Sequence, residues 1–599
     1  MYRFIALIWN DHSPQPRAVA DDLRQRIRAA SRDWECVLED TGFTVMHAGV
    51  RSPSSVTTLL HADAGAVFGR LFDDSAEPVP LRMTDHESAK IVATRGARLL
   101  DHYWGRYVAA FRDPSDGSVH VLRDPSGTMP CFLTTYRGVT LVFSDVEDCL
   151  ALRVMRFTVN WAYVAAFVPY SSLQIRDTGL NEVTELQPGE AVRIDGGTLE
   201  RRQMWNPFEV AKREPVDDHD DAVVALHRTV RRCVQAWASV HPVILHNLSG
   251  GLDSSIVLSC LRDAPSRPAL ACINYFSTGR NEDERKYARL AARRANVELL
   301  EQPLAFEQVA LRRLFEVRRT ARPWFYMYDL EHGPLESQLA ARRGITGIFS
   351  GSGGDALFFQ NRADLAVADH VFDHPFSLSL PRVALDAARI ARRSMWPLLR
   401  AALAQRFARR PWSPLAEAGR SRTLIRPEAI EAARRNPRLL HPWFERSNGA
   451  LPGVLWKVVS LSVPPAFYDS FDHETLPERV VPLMSQPLIE LCLRIPTYVA
   501  TAGGYDRSVA RHAFADELPM EIIRRRAKGS VTRHNTNLLD ANLELIREVL
   551  LDGLLVREGL LDRERLELYL SRETSPADFE YHEILHQHLC TEVWLQRWH

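Results

Sequence analysis

The stretch Ser249-Gly250-Gly251-Leu252-Asp253-Ser254-Ser255 holds the residue types that a polyphosphate needs. Glycines let the backbone come close, hydroxyls donate, and a carboxylate such as Asp253 can hold magnesium. The apolar run 243–248 before it reads as a buried strand, and 256–261 after it as a helix. A glycine-rich turn between strand and helix gathers N–H groups at the positive end of the helix, where anions bind. The Gly-Lys-Ser/Thr ending of the Walker loop is missing.

Two further places could share this chemistry. Asp355 follows Ser350-Gly351-Ser352-Gly353-Gly354 at the end of an expected strand at 347–349. In a parallel sheet that puts Asp355 on the same rim as Asp253, where two carboxylates can share magnesium. Lys528 lies in a basic run at 524–529, and a lysine can stabilise charge on an activated carboxyl under attack by an amine. His582 and His586 stand four residues apart, a zinc-compatible spacing, but with no HExxH motif they read as packed helix histidines.

These residues need a sheet to position them. From 218 onward the pattern runs helix (221–240), strand (243–248), helix (255–263), strand (270–276), helix (282–295), with a later strand at 347–349. Such alternation predicts a doubly wound parallel sheet with ligands at the carboxyl ends of its strands. Residues 1–205 read differently. Short apolar runs at 107–111, 119–122 and 139–143 alternate with turn clusters, the mark of a strand-rich unit. Residues 208–217 are polar and read as a linker. The arginine- and alanine-rich segment 382–412 reads as a helical insertion.

Composition sets outer bounds. At 599 residues, two or three domains are expected. A formal charge of −1 gives no global field toward nucleic acid. The eight cysteines are scattered without a Cys-x-x-Cys pair, so neither a disulfide framework nor a cysteine zinc site is expected. No apolar run reaches the length of a membrane span and the first residues lack signal-peptide features, so a soluble cytoplasmic protein is expected.

The spelling SGGLDSS resembles the pyrophosphate loop of the ATP-pyrophosphatase superfamily, which cleaves ATP between its α and β phosphates. The whole chain resembles the two-domain asparagine synthetase type. The turn Arg123-Asp124-Pro125-Ser126-Gly127, the stretch Thr178–Val183 with Leu186-Gln187-Pro188-Gly189, Gly353-Gly354-Asp355, Glu478 with Pro482, and Leu518-Pro519 through Lys528 carry the likeness. It implies an α/β chain with two parts. Residues 1–207 would be a degenerate Ntn-type (αββα) glutamine-amidotransferase-like domain. Residues 218–599 would be a doubly wound ATP-pyrophosphatase (adenine nucleotide α-hydrolase-like) synthetase domain with helical insertions. ATP and Mg2+ are the implied cofactors. Ser249, Gly250, Gly251, Asp253, Ser254, Ser255 and Gly354 would bind the nucleotide, Asp253 and Asp355 the metal, and Lys528 and Glu478 would serve catalysis.

The departures narrow the function. Glutaminases of this class have a cysteine after the initiator methionine, activated by its own amine; this chain has Tyr2, and the glutamine-binding Asn-Gly is replaced at residues 64–70. Glutamine is therefore not the expected nitrogen donor. Two branches that lost the glutaminase are β-lactam synthetases and lasso peptide cyclases. β-Lactam synthetases carry a tyrosine three positions before the second metal aspartate, where this chain has Ser352. The segment 482–496, with Ser485 in place of aspartate, looks like the lasso cyclase version. The resemblance thus points to an ATP-dependent lasso peptide cyclase, an AMP-forming carbon–nitrogen ligase. It would join an Asp or Glu side chain of a core peptide to the peptide's N-terminal amine. Its partners would be the precursor peptide and a leader peptidase, with no nucleic acid. Another glutamine-independent amide ligase and a non-catalytic peptide-binding scaffold are the alternatives.

Overall fold

Near-continuous burial marks the central strands of the N-terminal part, as expected of sheets covered on both faces. The computed structural model describes the chain apart from residues 1, 32, 50–55, 74–82, 171–173, 278–282, 361, 408–423, 436–439, 464–469, 472–475, 527–528, 530–531 and 572–578. The strands up to residue 203 are β1 (Arg3–Trp9), β2 (Glu35–Asp40), β3 (Phe43–Ala48), β4 (Thr57–Leu59), β5 (Gly65–Asp73) and β6 (Tyr103–Arg112), then β7 (Val119–Arg123), β8 (Phe132–Tyr136), β9 (Val139–Phe143), β10 (Thr184–Glu185), β11 (Glu190–Asp195) and β12 (Thr198–Gln203). They form two six-stranded antiparallel sheets, ordered β10-β8-β9-β1-β3-β2 and β12-β11-β7-β6-β5-β4.

The inner faces meet through Phe4, Ala6 and Ile8 of β1 against Phe68, Val108 and Val121, with Phe4 and Phe68 stacked at 4.4 Å. On the outer face of the first sheet, Ile5 and Leu7 pack against Leu23 and Ile27 of the helix Pro14–Ala30. On the outer face of the second, Val67 and Leu122 pack with Ile91 and Leu99 of two short helices. The layers run helix, sheet, sheet, helix, which is the αββα arrangement expected.

The C-terminal part is built on β13 (Val243–Asn247), β14 (Ala269–Phe276), β15 (Glu298–Pro303), β16 (Gly347–Ser350) and β17 (Glu478–Val480). All pairs are parallel, in the order β15-β14-β13-β16-β17. The helix Leu252–Arg262 packs on one face through Ile256, Val257 and Cys260. The helix Met327–Arg343 covers the other, with Ala340 against Leu245, Ile273 and Ile348. The chain leaves β13 in one direction to β14, and β16 lies on its other side. That reversal opens a crevice at the carboxyl end of β13, the usual ligand position in such sheets.

Only the later part of the expected linker 208–217 is exposed coil. Pro207–Ala211 is a helical turn with Phe208 and Val210 buried, capped by Asn206, whose side chain also donates to Trp443 O at 3.1 Å. Three apolar residues in one turn suffice to bury it. The expected insertion at 382–412 holds the helices Leu380–Ala391 and Met395–Phe407; its remainder lies outside the described residues. All eight cysteines are free thiols. Among the described residues no helix is long and apolar enough to cross a membrane.

Candidate active site

Gly250 sets the shape of the serine-glycine loop. Its φ is +80°, and a Cβ there would lie 2.6 Å from Ala288 N, so conformation and space both demand glycine. Gly251 then caps the helix Leu252–Arg262. Behind the loop, His246 Nε2 donates to Ser254 O at 2.8 Å. Burial lowers the His246 pKa to about 4, so the ring is neutral. The loop packs on the next turn because Gly351 and Gly354 lack side chains. A Cβ on Gly351 would meet Ser254 N at 2.5 Å, and one on Gly354 would meet Asp253 Cγ at 2.6 Å.

A cavity of about 620 Å³ opens at this edge of the sheet. Ser249, Gly251, Asp253 and Ser254 line it from the loop, Ser352 and Asp355 from the turn after β16. Gly250 and Ser255 do not line it. Gly250 turns the chain, and the Ser255 hydroxyl donates to Gly251 O at 2.8 Å, holding the first helical turn. Gly354 likewise acts by making room for Asp253.

Asp253 and Asp355 do share one rim, and Arg507 joins them. Arg507 Nη1 lies 3.2 Å from Asp253 Oδ2 and 3.1 Å from Asp355 Oδ1, while Nε reaches Asp506 at 3.1 Å. Burial works against the Arg507 charge, but Asp253, Asp506 and Asp355 outweigh it and hold the guanidinium above its usual range. Arg511 and Arg525 also line the cavity. Helix N–H groups, serine hydroxyls and three guanidiniums suit a polyphosphate. The paired carboxylates suit a hard divalent cation such as magnesium. The donor set therefore fits MgATP.

Lys528 lies outside the described residues. Its neighbours on both sides are anchored at the loop: Arg525 donates to Gly250 O at 3.3 Å and pairs with Glu284, and Gly529 N donates to the same Glu284 at 2.7 Å.

Glu478 is not among the residues that line the cavity. Successive side chains in β17 face opposite ways. Arg479 and Val481 line the cavity, whereas Glu478 points into the junction with the N-terminal sheets and pairs with Arg106 at 2.6 Å.

The wall opposite the loop was not legible beforehand. Arg479 pairs with Asp329, and with Glu336 at 2.8 Å, under the ring of Tyr328. The Tyr328 hydroxyl donates to Glu336 at 3.1 Å and accepts from Asn247 at 2.7 Å. Burial, then Glu336, raises the Tyr328 pKa well above normal, so this phenol stays protonated. Tyr328, His332 and Glu336 recur at every fourth residue, which is a helical signal; Pro334 between them argues for a break. The structure carries Pro334 inside the helix.

Near the chain start, Tyr2 is partly buried. Its hydroxyl lies 2.6 Å from Thr57 Oγ1, and His47 Nδ1 is also 2.6 Å from that oxygen. Burial pushes the phenol pKa far up. At the other end of the chain, His586 is buried against Phe325, and the side chain of His582 lies outside the described residues.

The asparagine synthase family model matches residues 225–599. The chain belongs to the asparagine synthase family. No curated protein matches it. Among solved structures, "Structure of the allosteric regulatory enzyme of purine biosynthesis" is 11% identical, covering 50% of this chain and 80% of that one, with a TM-score of 0.22. A glutamine phosphoribosylpyrophosphate amidotransferase from B. subtilis, complexed with ADP and GMP, is 10% identical over 50% of this chain and 65% of that one, with a TM-score of 0.21. Likeness this slight carries no argument. Membership of the asparagine synthase family supports an ATP-dependent amide ligase.

Proposed function

We propose that this asparagine synthase family member is a lasso peptide cyclase of the AMP-forming type. One observation carries the reading. Serine hydroxyls, helix N–H groups and guanidiniums edge a roomy, aromatic-walled cavity, while the partly buried Tyr2 stands where the resemblance puts a glutaminase nucleophile. A ligase without its own ammonia source must take its amine from elsewhere, and a peptide carrying both reacting groups supplies it.

In the first step a peptide Asp or Glu carboxylate oxygen attacks the α-phosphorus of ATP, and pyrophosphate leaves. Ser249, Gly251 and Ser254 would hold the phosphates, helped by Arg525. Asp253 and Asp355 would hold magnesium, which neutralises charge as pyrophosphate departs. In the second step the N-terminal amine attacks the carbonyl carbon, loses a proton, and AMP leaves. Lys528 would stabilise the charge on the carbonyl oxygen. Holding both groups in one cavity makes the step intramolecular, with a large effective molarity. A terminal amine has a pKa of about 7.7–8.0, so a useful fraction is neutral near pH 7 without a strong base. That suits a cavity from which Glu478 is absent.

The test is mass spectrometry of candidate core peptides, leader removed, incubated with the protein, MgATP and a leader peptidase of the same pathway. Loss of one water together with AMP and pyrophosphate is expected, and Asp253→Ala should abolish all three. AMP without water loss would move the reading to another glutamine-independent amide ligase. No AMP with any peptide would leave a peptide-binding scaffold.

A further inference from the structure

The helix Met395–Phe407 is apolar on both sides. Leu398 and Ala402 face inward, packing with Val367, Val371, Ala384 and Ala387 of the two preceding helices. On the outside Trp396, Leu403 and Phe407 are 64%, 43% and 78% exposed, and the spacing 396, 400, 403, 407 sets them on one stripe with Arg400. A helix with one buried face normally turns polar residues to water. Arg406 Nη1 donates to Val371 O at 3.0 Å and Phe372 O at 3.2 Å, fastening this helix's end beside the end of Ala363–Asp373. The loop that leaves from there carries Phe376 and Leu378, 96% and 98% exposed. Three large apolar side chains thus gather at one end of the hairpin. Contiguous exposed apolar surface of this kind marks a contact site.

Charge says what covers it. Residues 376–407 contain six arginines, one aspartate, and no lysine or glutamate, in a chain whose formal charge is −1. The aspartate, Asp386, is turned inward and accepts from Gly503 N at 3.0 Å. Arg382, Arg392, Arg393 and Arg400 are exposed, against one exposed carboxylate, Asp373, at the root of the loop. A second copy pairing through the same face would set arginine against arginine. Projecting apolar side chains on a surface that also carries exposed arginines match the interface of an anionic bilayer: the apolar groups dip below the headgroups and the guanidiniums pair with lipid phosphates.

We propose that this hairpin docks the protein on anionic lipid bilayers. The inference does not depend on the ligase reading. The test is co-sedimentation of the full-length protein with vesicles of phosphatidylcholine alone or mixed with phosphatidylglycerol. Binding is expected only to the mixed vesicles and should weaken with salt. Arg392→Gln, Arg393→Gln and Arg400→Gln together should weaken it by about a hundredfold, since each basic residue adds to surface attraction. Phe376→Ser, Leu378→Ser and Phe407→Ser together should also release the protein. Circular dichroism melts identical to the parent's would show that these surface variants fold. Failure of the parent to sediment with mixed vesicles at low salt would overturn the proposal. So would equal binding by all variants, or self-association of the parent that these substitutions abolish.

Discussion

Arg507 and Asp253 form an ion pair at the centre of the candidate site, 3.2 Å apart, and the same Nη1 reaches Asp355 at 3.1 Å. One buried guanidinium therefore compensates two carboxylates that a divalent cation would also compensate. Arg507 has a φ of +53°, so its backbone is held in a conformation that few side chains adopt. Arg507→Met should leave both carboxylates without this neighbour and cost about 3 kcal/mol, the usual scale for removing one partner of a buried pair. Magnesium should restore part of that loss. Differential scanning fluorimetry should show a lower Tm for the variant and a larger rise with MgCl2 than for the parent. An equal rise in both proteins would mean that Arg507 and magnesium do not compete.

Gly250→Ala tests the loop itself. The new methyl meets the Ala288 amide at 2.6 Å in a residue with φ +80°, so the backbone must move. Positive φ alone costs about 1 kcal/mol for alanine, before any clash. The loop amides would no longer converge. ATP affinity, read by isothermal titration, should fall about tenfold or more while Gly251→Ala, whose nearest contact is Ser249 Oγ at 3.3 Å, is milder. Equal losses at the two glycines would remove the geometric argument.

Much of this site could be read from residue types. The run 243–248, the glycine turn and the helix after it each had a local signal, and the structure has Val243–Asn247 and Leu252–Arg262 there. Asp355 was found because a glycine turn ends its strand. What failed was what local spelling does not encode. Glu478 was chosen by position in a motif, but strand alternation turned it to Arg106 and gave Arg479 the cavity. Arg507 reaches the rim from a distant turn, 254 residues beyond Asp253, and no spacing rule spans such a gap. Asp329 and Glu336 were hidden by Pro334, whose helix is held in place by packing on the sheet.

The two faces of β17 give opposite expectations. Glu478→Gln should keep ligase turnover near the parent's level and lower stability by about 1–3 kcal/mol, through loss of the charge-assisted bond to Arg106. Arg479→Met should strike the cavity wall, leaving Asp329 and Glu336 buried without their guanidinium. A loss of about 3–5 kcal/mol, with turnover falling further than binding of ATP, is expected. Urea melts and AMP release measured on both variants decide it. Turnover lost in Glu478→Gln and kept in Arg479→Met would reverse the assignment of faces.

His588 ties stability to pH in a way that one substitution isolates. It is fully buried, and neither ring nitrogen has a hydrogen-bond partner among the described residues. Burial lowers its pKa to about 4 from an ordinary value of 6.5. Below 6.5 the unfolded chain takes up a proton that the folded protein refuses until pH approaches 4. The unfolded state binds more protons in this window, so the contribution of His588 to stability is lost as pH falls from 6.5 to 4 and is unaffected above it. His588→Leu has no such proton to bind. Its stability relative to the parent should rise by about 2 kcal/mol between pH 7.5 and pH 5, from the 1.36 kcal/mol carried by each pKa unit. Other titrating groups, including Asp369, whose pKa burial raises to about 7, act on both proteins alike and cancel in the difference. A difference between the two proteins that stays constant with pH would show that His588 is protonated in the folded state as readily as in the unfolded chain.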